Sequence, residues 1–285
     1  MPLPVTPPSM STQEFLGLRD FIYQRTGIFF QESKQYFLEN RLHRRLSDLN
    51  LKSYRDYLEL LQGPAGREEL KQLFIEITTN ETSFWRNPPQ IEAFQRVILP
   101  DAAQMVRQRG GTKLRIWSAA CSSGEEPYTI AMVCSEAKET VLKGLSVEIL
   151  ATDISEKVLT QGQEGIYGSY TLRNLTPSQL KQHFLPDGTD LYVVRPELKA
   201  MVHFRHFNLV DWPGYRTLGF FDVIFCRNVL IYFDEAVKSK VIKSFYDQLH
   251  PKAYLLVGHS ESIHAYSTGF ELLHFSKAMG YRKRG

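Results

Sequence analysis

Apolar positions from Thr12 to about Trp85 recur at steps of three and four, as at Phe15, Leu18 and Ile22, and this spacing predicts amphipathic helices. The first part of the chain therefore reads as all-α over 12–87, behind a proline-rich flexible tail at 1–11. After about Val97 the rhythm shifts to short β-rich runs, "KLRIWSA", "SVEILATD", "FDVIFCR" and "AYLLVGHS", with helical stretches between them. Runs apolar on both faces and separated by helices predict a parallel sheet buried on both sides, so 88–285 reads as a doubly wound, Rossmann-like α/β domain. Within it, about 165–205 breaks the pattern: "DLYVV" and "MVHF" predict short antiparallel strands of an inserted small β subdomain.

Composition changes this picture little. A hydrophobic share of 43% and a charged share of 23% are ordinary for a globular protein, and a net charge of +3 is too small to argue for nucleic acid. No apolar run approaches the ~20 residues of a bilayer span, and the N-terminus lacks the cationic-then-apolar order of a signal peptide, so a cytoplasmic protein without membrane insertion is expected. Cys121, Cys134 and Cys226 form no pair or Cys/His cluster with metal-ligand spacing, so neither disulfide nor metal is expected.

The chemistry gathers at the strand ends. In "RIWSAACSSGEEPYTIAM" Ala119, Cys121 and Gly124 have the one-three-six spacing of GxGxxG, a small-residue loop that lets a ligand approach the backbone. A helix start normally attracts phosphate, but Glu125 and Glu126 stand there, which disfavours NAD and favours a ligand with positive charge; complementing the helix dipole in solvent is the plainer alternative. Asp153 ends the second strand in "LATDIS" and is placed to accept from ribose hydroxyls or to cap the helix that follows. Together these acids suit S-adenosylmethionine, with its sulfonium, amino group and ribose diol. Asn228, after the third strand, faces the same crevice or serves as a turn residue.

"ITTNETSFWRN", "WSAACSSGEEPYTIA", "LATDIS", "FDVIFCRNVLIYF" and "GHSES", in this order behind an all-α half, resemble the CheR-type chemotaxis receptor methyltransferases over nearly the whole chain. The resemblance implies S-adenosylmethionine as donor, S-adenosylhomocysteine as product, and glutamates on the cytoplasmic helices of a chemoreceptor as acceptors. It implies donor contacts at Asn80, Thr82, Arg86, Glu126, Asp153, Asn208, Leu209, Asn228 and Val229, with Glu125 beside them, and roles in methyl transfer for Arg86 and Tyr232. Phe84 and Trp85 would anchor the segment whose polar groups line the site.

In "ESKQYFLENRLHRRLSDL" Leu38, Leu42, Leu46 and Leu49 form one stripe of a helix, with Lys34, Arg41 and Arg45 on the adjoining face and Arg44 flanking it. Such charges are commonly a solvated face; the resemblance implies instead that Lys34, Arg41, Arg44 and Arg45 dock acidic receptor helices. Some relatives also bind a pentapeptide receptor tether at the β insert, and the short connection in "LPDGTDLYVVRPEL" argues against that here. Methylation of RNA or of another protein, and a donor-binding sensor without turnover, are the rival readings. The absence of a basic, aromatic-rich platform counts against RNA, and intact Arg86, Asp153 and Tyr232 count against the sensor.

Overall fold

A computed structural model describes residues 8–285, which divide into two compact units. The first runs to Thr79 and takes in Tyr232–Asp234; the second comprises Asn80–Ile231 and Glu235–Gly285.

The first unit has four main helices, α1 (Thr12–Thr26), α2 (Gln35–Asp48), α3 (Tyr54–Gln62) and α4 (Gly66–Ile77). Ser11 opens α1 with a capping box, its hydroxyl accepting from Glu14 N while Glu14 Oε2 accepts from Ser11 N at 2.9 Å. Gly27 closes α1 in the left-handed conformation, φ 72°. The expected tail thus ends earlier than 11: Ser11 is a cap, and Met10 is buried with its carbonyl accepting from Gln35 Nε2 at 2.6 Å. Residues 1–7 of that tail lie outside the described residues. Phe15, Leu18 and Ile22 of α1, Leu38, Leu42 and Leu46 of α2, Tyr54 and Tyr57 of α3, and Leu73 of α4 are buried, as helical spacing predicts.

The second unit is built on a seven-stranded sheet. Its strands are β1 (Lys113–Ala119), β2 (Ser146–Asp153), β6 (Val202–His206), β7 (Phe221–Cys226), β8 (Leu249–Val257), β9 (Phe270–Phe275) and β10 (Ala278–Lys283), and β3 (Ile166–Gly168), β4 (Phe184–Asp187) and β5 (Leu191–Val194) form a separate antiparallel sheet. The order of the large sheet is β6-β2-β1-β7-β8-β10-β9. The four strands anticipated from the apolar runs are its parallel centre, with Ile116 aligned to Ile149 on one side and Val223 on the other. The helices are α5 (Pro88–Ala93), α6 (Leu99–Gln108), α7 (Glu125–Glu136), α8 (Glu156–Glu164), α9 (Ser169–Leu172), α10 (Pro177–His183), α11 (Pro196–Lys199) and α12 (Glu235–Gln248). On one face of the sheet Trp117 is fully buried, ringed by Phe207, Tyr215, Phe221 and Phe245, and its indole N–H donates to Thr152 Oγ1 at 2.9 Å.

Three expectations need correction. "MVHF" is not part of the small sheet: β6 pairs parallel with β2, Ile149 opposite Val202, and its backbone satisfies the N–H and C=O groups that β2 would otherwise leave open. The C-terminal hairpin β9/β10 joins antiparallel to β8, so the sheet is mixed. The helical part ends near 79, not 87, because Phe84 is fully buried in the second unit, edge-on to Tyr167 at 4.8 Å and to Phe184 at 5.1 Å. Burying such a ring contributes about 1.5–3 kcal/mol, more than the exposed turn it would otherwise occupy could return. Among the described residues no helix is long and apolar enough to cross a membrane.

Candidate functional site

Reading outward from β1, the sheet runs to β2 and β6 on one side and to β7 and β8 on the other, so the chain reverses its winding between β1 and β7. In open α/β sheets ligands bind beyond the C-terminal strand ends at such a switch point. Here the backbone is conspicuously left-handed at residues other than glycine: Ala120 (φ 58°) and Ser122 (φ 50°) after β1, Asn228 (φ 61°) after β7, and Trp85 (φ 54°) and Asn87 (φ 60°) in the segment that precedes α5. Strain of this kind costs about 1–3 kcal/mol per residue and persists only where neighbours over-determine it.

Asp153 supplies one such neighbour. Its Oδ2 accepts from Ser122 N at 2.9 Å and its Oδ1 from Ser155 N at 3.0 Å, so the acid at the end of β2 fixes the turn after β1 and the approach to α8 together. Burial pushes its carboxyl up, opposed by the N–H groups of Ser155 and Ser122. Cys121 N donates to Thr152 O at 2.8 Å, and Tyr167 Oη donates to Ser123 O at 2.6 Å, tying the same loop to β2 and to the small sheet. Gly124 (φ 98°) leaves no room for a side chain: a Cβ there would lie 2.8 Å from Tyr167 Oη and 3.1 Å from the Gly162 Cα.

The two glutamates of α7 do not stand as a bare pair of anions. Glu125 is buried and accepts from Ser123 Oγ at 2.8 Å, and burial raises its carboxyl. Glu126 accepts from Ser118 Oγ at 2.7 Å through Oε1 and pairs with Arg227 Nη1 at 3.1 Å through Oε2. Glu125 is thus bonded within its own loop, and Glu126 is compensated by an arginine 101 residues away in sequence.

Arg227 stands at the end of the third apolar run, where the sequence assigns it no role, and Glu261, inside "GHSES", goes unremarked in the sequence altogether. Arg227 is buried directly after β7, and its Nη2 donates to the Arg86 carbonyl at 2.6 Å. Glu261, also buried, accepts through Oε2 from Gly258 N (2.6 Å) and Asn228 N (2.8 Å) and through Oε1 from Ile231 N (3.3 Å), joining the loops after β7 and β8. A charge set immediately beyond the apolar run Val223–Cys226 was the available signal for Arg227.

The segment Asn80–Asn87 is fixed from the small-sheet side. Phe84 N donates to Thr171 O at 3.0 Å, Asn174 Nδ2 donates to Phe84 O and Ser83 Oγ, and Trp85 N donates to Thr129 Oγ1. Arg86 turns one guanidinium nitrogen onto Glu81 O at 2.7 Å, Thr82 is half-buried, and Asn80 is exposed with its carbonyl 3.4 Å from the Ser122 hydroxyl that donates to it. Beyond β6, Asn208 Oδ1 accepts from Val210 N, and the Leu209 carbonyl accepts from Tyr215 Oη. Asn80, Thr82, Arg86, Glu125, Glu126, Asp153, Asn208, Leu209, Asn228 and Val229 thus all belong to the second unit, most of them at the ends of its strands. Tyr232 instead belongs to the first unit, its carbonyl accepting from Phe29 N at 3.0 Å. Such an edge, rich in backbone groups, small side chains and amides, fits a nucleoside-bearing donor better than a polyphosphate. Among the described residues, no group of three or more His, Cys, Asp or Glu side chains is arranged to hold a metal ion.

The basic face of α2 is corrected more sharply. Arg41 Nη1 donates to Glu76 O (2.6 Å) and Thr78 O (2.7 Å), closing the C-terminal carbonyls of α4, and its guanidinium lies 4.4 Å from the Phe37 ring centroid. Arg45 grips the buried Glu69 with two nitrogens, at 2.9 and 2.6 Å, and Tyr57 Oη donates to the same carboxylate at 2.8 Å. Both arginines are turned inward, whereas Arg44 keeps 81% of its side chain exposed and Lys34 is exposed as well.

The family comparisons fall on these same two units. Residues 13–78 match the model of the CheR methyltransferase all-alpha domain, and residues 80–279 that of the CheR methyltransferase SAM binding domain. The chain is 39% identical over 270 residues to chemotaxis protein methyltransferase 2 of Vibrio cholerae, covering 95% of this chain and 92% of that one. It is 34% identical to chemotaxis protein methyltransferase 1 of Pseudomonas aeruginosa, covering 97% and 100%. To the chemotaxis protein methyltransferase of Escherichia coli it is 39% identical, covering 89% and 86%.

Proposed function

The chain belongs to the CheR methyltransferase family, and from that membership we propose that it methylates glutamate side chains on the cytoplasmic helices of a chemoreceptor, forming glutamyl methyl esters. Its place among the S-adenosylmethionine-dependent methyltransferases of chemotaxis comes with the family. The observation that carries the reading is the tandem match of both family models, meeting at 78/80 where the two structural units divide.

S-adenosylmethionine supplies a methyl group on a sulfonium. Asn80, Thr82, Arg86, Glu126, Asp153, Asn208, Leu209, Asn228 and Val229 would hold it, with Glu125 supporting the loop from inside, and Arg86 and Tyr232 would serve the transfer. The acceptor needs little preparation, because a glutamate side chain with a reference pKa of about 4.3 is already an anion at neutral pH and no general base is required. The task left to the protein is alignment and exclusion of water, and an aligned geometry contributes up to roughly 7–11 kcal/mol. Arg86 serves better by orienting than by gripping the attacking oxygen, since a tight ion pair would blunt the nucleophile.

Incubation with methyl-labelled donor and receptor cytoplasmic fragments tests the reading. Label released as methanol by base is the expected result; label stable in base, or none, would overturn it. The receptor-facing charges are Lys34 and Arg44, the two of the predicted four that remain exposed. Arg44→Glu is expected to raise KM for receptor fragments about three- to tenfold at low salt, with the melting midpoint unchanged. Arg45→Glu is expected to act otherwise, destabilising the all-α unit by about 3–5 kcal/mol, because it sets a second carboxylate against the buried Glu69. Circular dichroism melts beside the kinetics separate the two; an unaltered melt for Arg45→Glu would refute the inward role. The β4–β5 connection, residues 188–190, is short, which supports a receptor recognised without a tether peptide; titration with such a peptide checks it. A partner of this kind puts the enzyme in the cytoplasm, acting on an acidic helical protein, not on nucleic acid.

A further inference from the structure

Arg227 has a bonding pattern that fold stability alone does not explain. It is 92% buried, and one nitrogen reaches forward to Glu126 on α7 while another holds the backbone carbonyl of Arg86, so a single guanidinium spans a donor-contacting carboxylate and the segment bearing the transfer arginine. Its Nε–H, buried as well, has no hydrogen-bond partner. An unpaired buried donor is destabilising, and replacing a buried ion pair by apolar groups is often neutral or stabilising. Glu126 in turn is held between Arg227 and the Ser118 hydroxyl, so its orientation depends on the arginine.

We propose that Arg227 is a positioning residue for methyl transfer: it fixes the backbone at Arg86 relative to Glu126, so that the donor-binding carboxylate and the transfer arginine are set by one rigid fork. This rests on the methyltransferase reading above. Only a planar, two-pronged cation does this, since lysine offers a single point charge that satisfies Glu126 or the Arg86 carbonyl, not both at these positions. The arrangement has a consequence that mere structural support lacks. Removing Arg227 frees Arg86 to wander, which lowers kcat, and at the same time leaves Glu126 without its compensating charge, which strengthens it as an acceptor for the ammonium and hydroxyl groups that donor and product share.

The test compares wild type, Arg227→Met and Arg227→Lys in full-length protein. The measurements are kcat with receptor fragments, S-adenosylhomocysteine affinity by calorimetry, and the melting midpoint. For Arg227→Met the expected result is a fall in kcat of at least about fiftyfold, with product-nucleoside affinity unchanged or tighter. Should that variant fail to fold, Arg227→Lys keeps the charge beside Glu126, and a fall in kcat of about tenfold at unchanged affinity is expected. Wild-type kcat in Arg227→Lys, or a parallel loss of kcat, affinity and melting midpoint, overturns the proposal. Failure of the underlying reading looks different: wild type itself would then form no base-labile methyl ester.

Discussion

Gly124→Ala is expected to lower S-adenosylhomocysteine affinity by about 30- to 150-fold and to abolish detectable methyl transfer. At φ 98° an alanine is strained by roughly 1–2 kcal/mol, and its Cβ would stand 2.8 Å from Tyr167 Oη and 3.0 Å from Phe204 Cζ. Tyr167 cannot yield freely, because its hydroxyl donates to Ser123 O at 2.6 Å and its ring packs edge-on against Phe84. The loop after β1 relieves the clash by leaving its binding geometry, and recovering that geometry on binding then costs the strain released, about 2–3 kcal/mol, which gives the stated range. Gly144→Ala is the control: φ there is 80° with nothing within 4 Å of the added atom, so it shares the backbone strain without the clash. Calorimetry on both variants decides; a Gly124→Ala protein that binds as wild type does would remove the loop from the donor site.

The second large effect is expected at Glu261. Glu261→Ala strands the N–H groups of Gly258 and Asn228, each bonded within 2.8 Å, and the weaker one of Ile231, at a total cost of about 2–4 kcal/mol. Asn228 sits at φ 61° against this anchor, so the loop after β7 should relax and donor affinity fall with stability. Glu261→Gln keeps one carbonyl oxygen able to accept from Gly258 and Asn228 together and loses only the bond to Ile231, so it should cost about 1 kcal/mol. Denaturant melts of wild type and the two variants check the ordering; an alanine variant as stable as wild type would show that the carboxylate holds nothing.

What the sequence disclosed follows from how locally each feature is encoded. β7 is legible because burial on both faces leaves "FDVIFC" almost no polar position, and α1 is legible because Ser11 and Glu14 close a capping box within three residues. The Arg45–Glu69 pair is invisible on a helical wheel of α2, since its second half lies on α4, and so two inward arginines read as a surface strip. Strand β6 went to the wrong sheet because edge strands of either kind share the same half-polar alternation, here a burial pattern set by position beside β2. The left-handed backbone at Ala120, Ser122 and Asn228 has no glycine to announce it and is imposed by Asp153 and Glu261 from other strands. The motifs themselves were legible; the bonds that join them across the fold were not.

Phe84 ties the segment bearing Arg86 to the inserted region, through Tyr167 and Phe184 of the small sheet and through Thr171 and Asn174 between its strands. The insert is thus no detachable ornament. A chimaera that borrowed it from a distant homologue would inherit foreign neighbours for Phe84 and shift the backbone of the segment it anchors, so the two stretches must drift in concert or be transplanted as one.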